Sequence, residues 1–259
     1  MQIIGYLGGI KMDIRKELKE FFGERPLFYI KFTREEKWAK DILEGKLFMN
    51  KVDCYRKLEL NSGEKGQGDL SELKAKIIPL EVKLKSKNTN VVIPLKVRSL
   101  EFELDEDKHK PVFCITGLTI DDMIIDSYCQ NSVKLRFPYK EKDADLLRKE
   151  FGEYVVVLNP KQFEENISNT LNNEGIGWIF GKVKYTCENS LERIEAFSNS
   201  IPERFLYKDL EFQYQKEYRL VLDENIDNNK ILSIGSLYNG GGIQRIEDFL
   251  TTEIVLNFR

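Results

Sequence analysis

The apolar positions along the chain change period several times, and each change marks an element. From Ile14 to Phe22 they fall at 14, 18, 21 and 22, the one-face spacing of a short amphipathic helix, and Gly23 ends it. Pro26 opens a strand from Leu27 to Phe32. Thr33, with Glu36 three residues on, has the form of a capping box, so a helix is expected from Arg34 to Leu43 with a stop at Gly45. Lys46 to Asn50 reads as a second short strand. From 56 to 72 apolar residues thin out, and Gly63, Gly66 and Gly68 stand among charges, which predicts a mobile polar loop.

The middle and late chain is richer in strand signals. Ile77 to Leu84 and Val91 to Val97 flank an Asn88-Thr89-Asn90 break, the pattern of a hairpin, and Pro111 to Thr116 and Val133 to Phe137 are further strands. Lys140 to Phe151 is a charged helix. Tyr154 to Leu158 is an unbroken β-branched run, the mark of a buried strand. A helix from Pro160 to Thr170, a strand from Lys182 to Cys187, and helical pieces at Leu191–Phe197 and Glu203–Tyr207 follow. Phe212 to Leu222 is the longest late strand candidate. Lys230 to Ile234 is another strand, Gly240-Gly241-Gly242 leads into a helix through Leu250, and Glu253 to Phe258 is the last strand.

Strands and helices interleave without a steady βαβ rhythm, which disfavours a doubly wound parallel sheet. The expectation is an α+β fold: a single mixed domain over residues 12–259, with a largely antiparallel sheet, peripheral helices and the polar loop at 56–72. Residues 1–11 are expected to be an upstream extension. Gly8 to Met12 can be encoded by a ribosome-binding site just before an ATG, which makes Met12 the natural start; the alternative is an N-terminal strand. Abundant Lys, Asn and Ile fit an AT-rich bacterial or phage genome.

Composition narrows the chemistry. The 259 residues carry 40 Lys and Arg against 43 Asp and Glu, a net charge of -3 that argues against a globally basic nucleic-acid binder. The one histidine, His109, lies in a charged stretch and reads as a bystander, yet any Ser-His-Asp, Cys-His or histidine-zinc site would have to use it. The four cysteines form no CxxC pair, so no metal site is expected, and Cys114 and Cys187 read as buried thiols. No apolar run approaches the ~20 residues of a membrane span, and the start lacks a signal peptide's basic region. With scattered cysteines, this places the expected location in a reducing cytoplasm. The triple glycine lacks the lysine and spacing of a phosphate loop and reads as a flexible turn.

Three pieces carry candidate chemistry. The first is the opening strand and helix, with Tyr29 and Lys31 on the strand and Ile42-Leu43-Glu44-Gly45 at the helix end. The second is the polar loop with Asp69, Ser71 and Glu72, for which a plain loop-to-helix cap is the alternative. The third is Phe212 to Leu222. Read as one strand, it places Gln213, Gln215, Glu217 and Arg219 in a row on one face, which either meets solvent or lines a polar cleft.

These pieces resemble a broad family of uncharacterised bacterial and phage proteins that open with a Tyr-bearing strand and an Ile-Leu…Gly helix and carry a late Gln-x-Glu-Tyr-Arg strand. The plan is also loosely similar to ADP-ribosyltransferases, in which an early His or Arg grips NAD and a late Glu stabilises the oxocarbenium-like centre. That similarity implies Glu217 as the key carboxylate, with Lys31 at the place of the early His and a point charge instead of an imidazole. It further implies Tyr29 or Tyr55 stacking on nicotinamide and Arg219 holding a diphosphate. Asp69 and Gln215 complete the candidate binding set. Two functions follow. One is a phage- or prophage-encoded non-enzymatic binder, without cofactor, that inhibits a host defence protein or sequesters its nucleotide signal. The alternative is an NAD-using ADP-ribosyltransferase or NAD glycohydrolase. For each side chain a structural role competes: an ion pair for Glu217 and Arg219, and core or rim packing for Tyr29 and Tyr55.

Overall fold

A computed structural model describes residues 5–7, 10–62, 73–79, 81–89, 91–129, 131–141 and 144–258. The chain folds as the α+β protein that the pattern predicts, with mostly antiparallel strand pairs and several helices. Within it the chain divides into two compact units, each discontinuous in sequence: residues 1–47, 115–175 and 231–259, and residues 48–114 and 176–230. None of the described helices is long and apolar enough to cross a membrane.

In the first unit, Phe28–Thr33 pairs antiparallel with Tyr154–Leu158 on one side and with residues 116–118 on the other; Gly241–Arg245 pairs on the far side of Tyr154–Leu158. A separate three-stranded antiparallel sheet is made by Ile124–Cys129, Ser132–Arg136 and Glu253–Asn257. The alternation along Phe28–Thr33 decides what each face does. Phe28, Ile30 and Phe32 join a large apolar cluster with Leu118, Leu135, Val155 and Phe249, in which Phe137 stacks on Phe249 at 4.4 Å. Tyr29 and Lys31 point to the other face. Ile14–Phe22 is the amphipathic helix expected, with Asp13 accepting from the Lys16 N–H as N-cap and Gly23 as its C-cap.

Two local readings change in this unit, and a third gains its cause. Thr33 is the last residue of its strand and does not cap: its hydroxyl donates to the Glu35 carbonyl at 3.1 Å, and the helix runs Glu36–Leu43. The helix stop at Gly45 has a tertiary reason. Its φ is +84°, and an added Cβ would lie 1.9 Å from the Gly235 carbonyl oxygen. The triple glycine enters a strand, Gly241–Arg245, before a shorter helix at Ile246–Thr251. A Cβ at Gly241 would meet Leu158 and Leu43 methyls at 2.8 Å, so close packing, with no flexible turn at 241, explains that residue. At the N-terminus, Gly5–Leu7 and Ile10–Met12 pair antiparallel.

In the second unit, Trp178–Lys182 pairs antiparallel with Glu217–Leu222, Lys184–Thr186 pairs parallel with Tyr207–Asp209, and Asn50 and Lys51 pair with Val112 and Pro111. Val52, Leu73, Ala75, Val112, Phe197, Phe205 and Val221 form its apolar cluster. The region expected as a loop from 56 is helical at its start: Val52–Ser62 is one helix, because Val52 packs into that cluster and Arg56 is fixed by Glu103 at 2.9 Å and the Leu73 carbonyl at 3.1 Å. Residues 63–72, with Asp69, lie outside the described residues. A hairpin forms around Asn88, pairing Val82–Lys85 with Val92–Leu95, but its first arm is shorter than the expected Ile77 to Leu84, because Ile77 belongs to Ala75–Ile77, which pairs with Leu100–Phe102. His109 is exposed at the end of a short 3-10 turn, Asp105–His109.

Candidate functional site

The second unit buries charge to a degree the first does not. Arg56, Asp107, Arg193, Arg204, Lys208, Glu217 and Arg219 are all buried, and all belong to residues 48–114 or 176–230. Burying an ion is costly unless it is paired and hydrogen-bonded. Here the pairs are made. Arg204 grips Asp107 with two parallel bonds of 2.7 Å, and Arg193 bonds Asp209 and the Lys74 carbonyl, each at 2.7 Å.

Glu217 is the centre of the third group. The expected strand from Phe212 does not form as one piece. Leu210–Gln215 winds as a 3-10 turn, Lys216 takes a left-handed conformation at φ 47°, and the strand begins at Glu217. Gln213 and Gln215 therefore share no strand face with Glu217 and Arg219. All six residues of Glu217–Leu222 are buried, so both faces of the strand are covered and no polar row along it meets solvent. The run of alternating residues misled because one left-handed residue at 216 resets the alternation.

The turn nevertheless brings Gln215 back to the carboxylate by another route. Lys208 Nζ donates to Gln215 Oε1 at 2.8 Å and to Glu217 Oε2 at 3.0 Å. Arg219 reaches Glu217 Oε1 with both Nε and Nη2 at 2.8 Å, while its Nη1 donates to the Phe205 carbonyl at 2.7 Å. The Cys114 thiol also hydrogen-bonds Glu217. The backbone N–H of Glu217 donates to the Tyr185 hydroxyl at 2.8 Å, and Lys208 lies 4.8 Å above the Phe212 ring. Burial by itself would raise the Glu217 carboxyl. The charges of Arg219 and Lys208 and the Cys114 and Lys208 hydrogen bonds outweigh it and hold the group well below the usual carboxylate range. The same burial, with the Glu217 charge, pushes the Tyr185 phenol up.

The other candidates fall in different places. Tyr29 is fully buried in the first unit; its ring meets Phe163 edge-on at 5.4 Å and its hydroxyl donates to Glu164 Oε1 at 2.6 Å. Lys31 is half-buried on the same strand face, opposite Val156. Tyr55 packs, half-buried, against the apolar cluster of the second unit. Glu217, Gln215 and Arg219 are thus brought together, Tyr55 belongs to the same unit, and Tyr29 and Lys31 belong to the other. Lys208, Tyr185 and Cys114 are the members of the network that sequence reasoning passed over. Cys114 is half-buried, but Cys187 is exposed where a buried thiol was expected, since the strand it was assigned to ends at Thr186. No group of three or more metal-ligating side chains occurs among the described residues. No protein-family model, curated protein or solved structure matches the chain.

Proposed function

We propose that the protein acts by binding and not by catalysis, in the role of a non-enzymatic inhibitor or sequestering protein whose target is another protein or a nucleotide signal. The observation that carries this reading is the engagement of Glu217. A carboxylate that stabilises an oxocarbenium-like centre needs an oxygen turned to the substrate. Here Oε2 is held by Lys208, Oε1 is held twice by Arg219, and the Cys114 thiol adds a further bond. Arg219 in turn is committed to Glu217 and to the Phe205 carbonyl, which leaves it poorly placed to hold a diphosphate. The Tyr29 ring and hydroxyl are occupied by Phe163 and Glu164. These are structural duties, and they favour a rigid scaffold that presents a surface. In the host cell, such a scaffold encoded by a phage or prophage would serve to block a defence protein or to withhold its nucleotide signal.

An NAD-cleavage assay tests the reading. The wild-type protein and Glu217→Gln are incubated with NAD, and nicotinamide release is followed by chromatography. The expected result is no release above the buffer blank for either. Enzyme-dependent release by the wild type, lost in a Glu217→Gln protein that is still folded by circular dichroism, would overturn it in favour of an NAD-using transferase or glycohydrolase.

A further inference from the structure

The hairpin Val82–Lys85/Val92–Leu95 has two unlike faces. Its register sets Val82 opposite Leu95 and Leu84 opposite Ile93, so these four apolar residues share one face. Lys83 and Lys85 share the other, with Val92 and Pro94, and Lys83 is paired with Glu81 at 2.7 Å. The apolar face is open: Leu84 is 53% exposed, Ile93 51% and Leu95 38%. Exposed apolar residues gathered on one element mark a contact surface. From Glu81 to Arg98 there are five basic residues and one acidic, in a chain whose net charge is -3.

The hydrogen-bond phase shows which edge is available. The Ser86 N–H donates to the Val91 carbonyl at 3.2 Å, so 86/91 is a bonded pair. Alternation makes 84/93 and 82/95 bonded pairs as well, and turns the backbone groups of Lys83, Lys85, Val92 and Pro94 outward. Pro94 has no N–H, which blunts the Val92–Leu95 edge. The Val82–Lys85 edge has no such block, and among the described residues the hairpin pairs with no other strand.

We infer that the Val82–Lys85 edge captures an extended segment in which apolar and acidic residues alternate. A strand added there sends alternate side chains to the two faces, so its apolar residues cover Val82 and Leu84 while its carboxylates meet Lys85 and, in exchange for the exposed Glu81, Lys83. The chain already contains this backbone register once, although the ion pairs there run to other partners, Lys76 to Glu188 at 3.3 Å and Glu101 to Lys74 at 3.9 Å. Leu100-Glu101-Phe102 lies antiparallel on Ala75-Lys76-Ile77, with Glu101 opposite Lys76 and Leu100 opposite Ile77. A second copy docked hairpin to hairpin would instead gather ten cations against two anions. A bilayer that took the apolar face would leave Lys83 and Lys85 turned away from its headgroups. The inference stands on the hairpin alone and holds whether or not the protein catalyses.

The test uses the full chain and a fluorescein-labelled peptide with the sequence of residues 100–107, LEFELDED, against a peptide of the same composition with its acids grouped together. Fluorescence anisotropy is expected to show saturable binding of the alternating peptide, weaker at high salt. Binding is expected to fall at least tenfold in Lys83→Glu/Lys85→Glu, about 1.4 kcal/mol. Lys83→Pro removes an outward N–H without touching the ladder to Val92–Leu95 and is expected to lose the same; Lys83→Ala keeps that N–H and is expected to stay within about threefold of wild type, as suits loss of one rim charge. Circular dichroism confirms that each variant is folded. The inference is overturned by no saturable binding, by equal binding of the grouped peptide, or by indifference to the double charge reversal. Sedimentation showing a dimer that the charge reversal dissolves, or binding to phosphatidylserine vesicles without binding to the peptide, would overturn it in favour of those occupants.

Discussion

Replacing Glu217 by Gln keeps the shape of the side chain and removes its charge, leaving Lys208 and Arg219 buried around a neutral amide. An exposed ion pair would lose no more than about 1 kcal/mol on this change. Glu217 is 5% exposed and Arg219 2%, so the relevant case is a buried pair deprived of one partner, which costs about 3–5 kcal/mol. For a chain near 250 residues each kcal/mol moves the melting temperature by about 2–4 °C, so a fall of about 6–20 °C is expected. Gln also presents an N–H₂ where one oxygen now accepts, and whichever cation it faces loses its acceptor. Thermal and urea denaturation followed by circular dichroism read the effect. The triple change Glu217→Leu/Lys208→Met/Arg219→Met should be less damaging than the single one, because it removes the stranded charges together with their counter-ion. A single-variant loss below about 1 kcal/mol, or a triple variant worse than the single, would refute the claim that the three charges form one mutually dependent buried group.

The depressed Glu217 carboxyl makes stability pH-dependent with a definite sign. The carboxyl is lower in the folded than in the unfolded chain, so its contribution is complete above the ordinary glutamate value of ~4.3 and is lost as pH falls below it; the urea midpoint of wild type should drop more steeply in acid than that of Glu217→Gln. Tyr29→Phe should cost about 1–2 kcal/mol through the lost bond to Glu164, and Tyr29→Ala about 3–5 kcal/mol through loss of the buried ring; a melt that moves equally for both would contradict the core role of the ring. Gly45→Ala should destabilise by more than about 1 kcal/mol in denaturant titration, because both its φ and the Gly235 carbonyl oppose a Cβ.

What the sequence made legible was local and periodic. The Ile14–Phe22 helix, the buried Tyr154–Leu158 strand and the hairpin at Asn88 follow from spacing, turn residues and β-branching, and they stand where those signals put them. The failures were non-local. Nothing in the run from Phe212 announces that Lys216 turns left-handed, and this one residue moves Gln213 and Gln215 off the strand and closes the imagined polar row. The Val52–Ser62 helix runs into the polar stretch expected as a loop from 56, and it rests on Val52 packing and on Arg56 reaching Glu103 and Leu73, partners far along the chain. The triple glycine carries its meaning in the Leu158 and Leu43 methyls that press on Gly241. Glu217 and Arg219 were recognisable as a pair two residues apart, but Lys208, Tyr185 and Cys114 converge on them only through tertiary folding, and a lysine beside an aspartate in Tyr207-Lys208-Asp209 gives no hint that it is buried.

The central claim is that Glu217 is a buried counter-ion and not a substrate-facing carboxylate. The carboxyl-carbon NMR signal of Glu217, assigned by comparison with Glu217→Gln and followed against pH with and without NAD, tests it most directly. The account predicts a carboxyl that stays ionised through the pH range in which exposed glutamates titrate, with a signal unmoved by NAD. A carboxyl that titrates at or above the ordinary glutamate value, or a signal that shifts saturably as NAD is added, would contradict it.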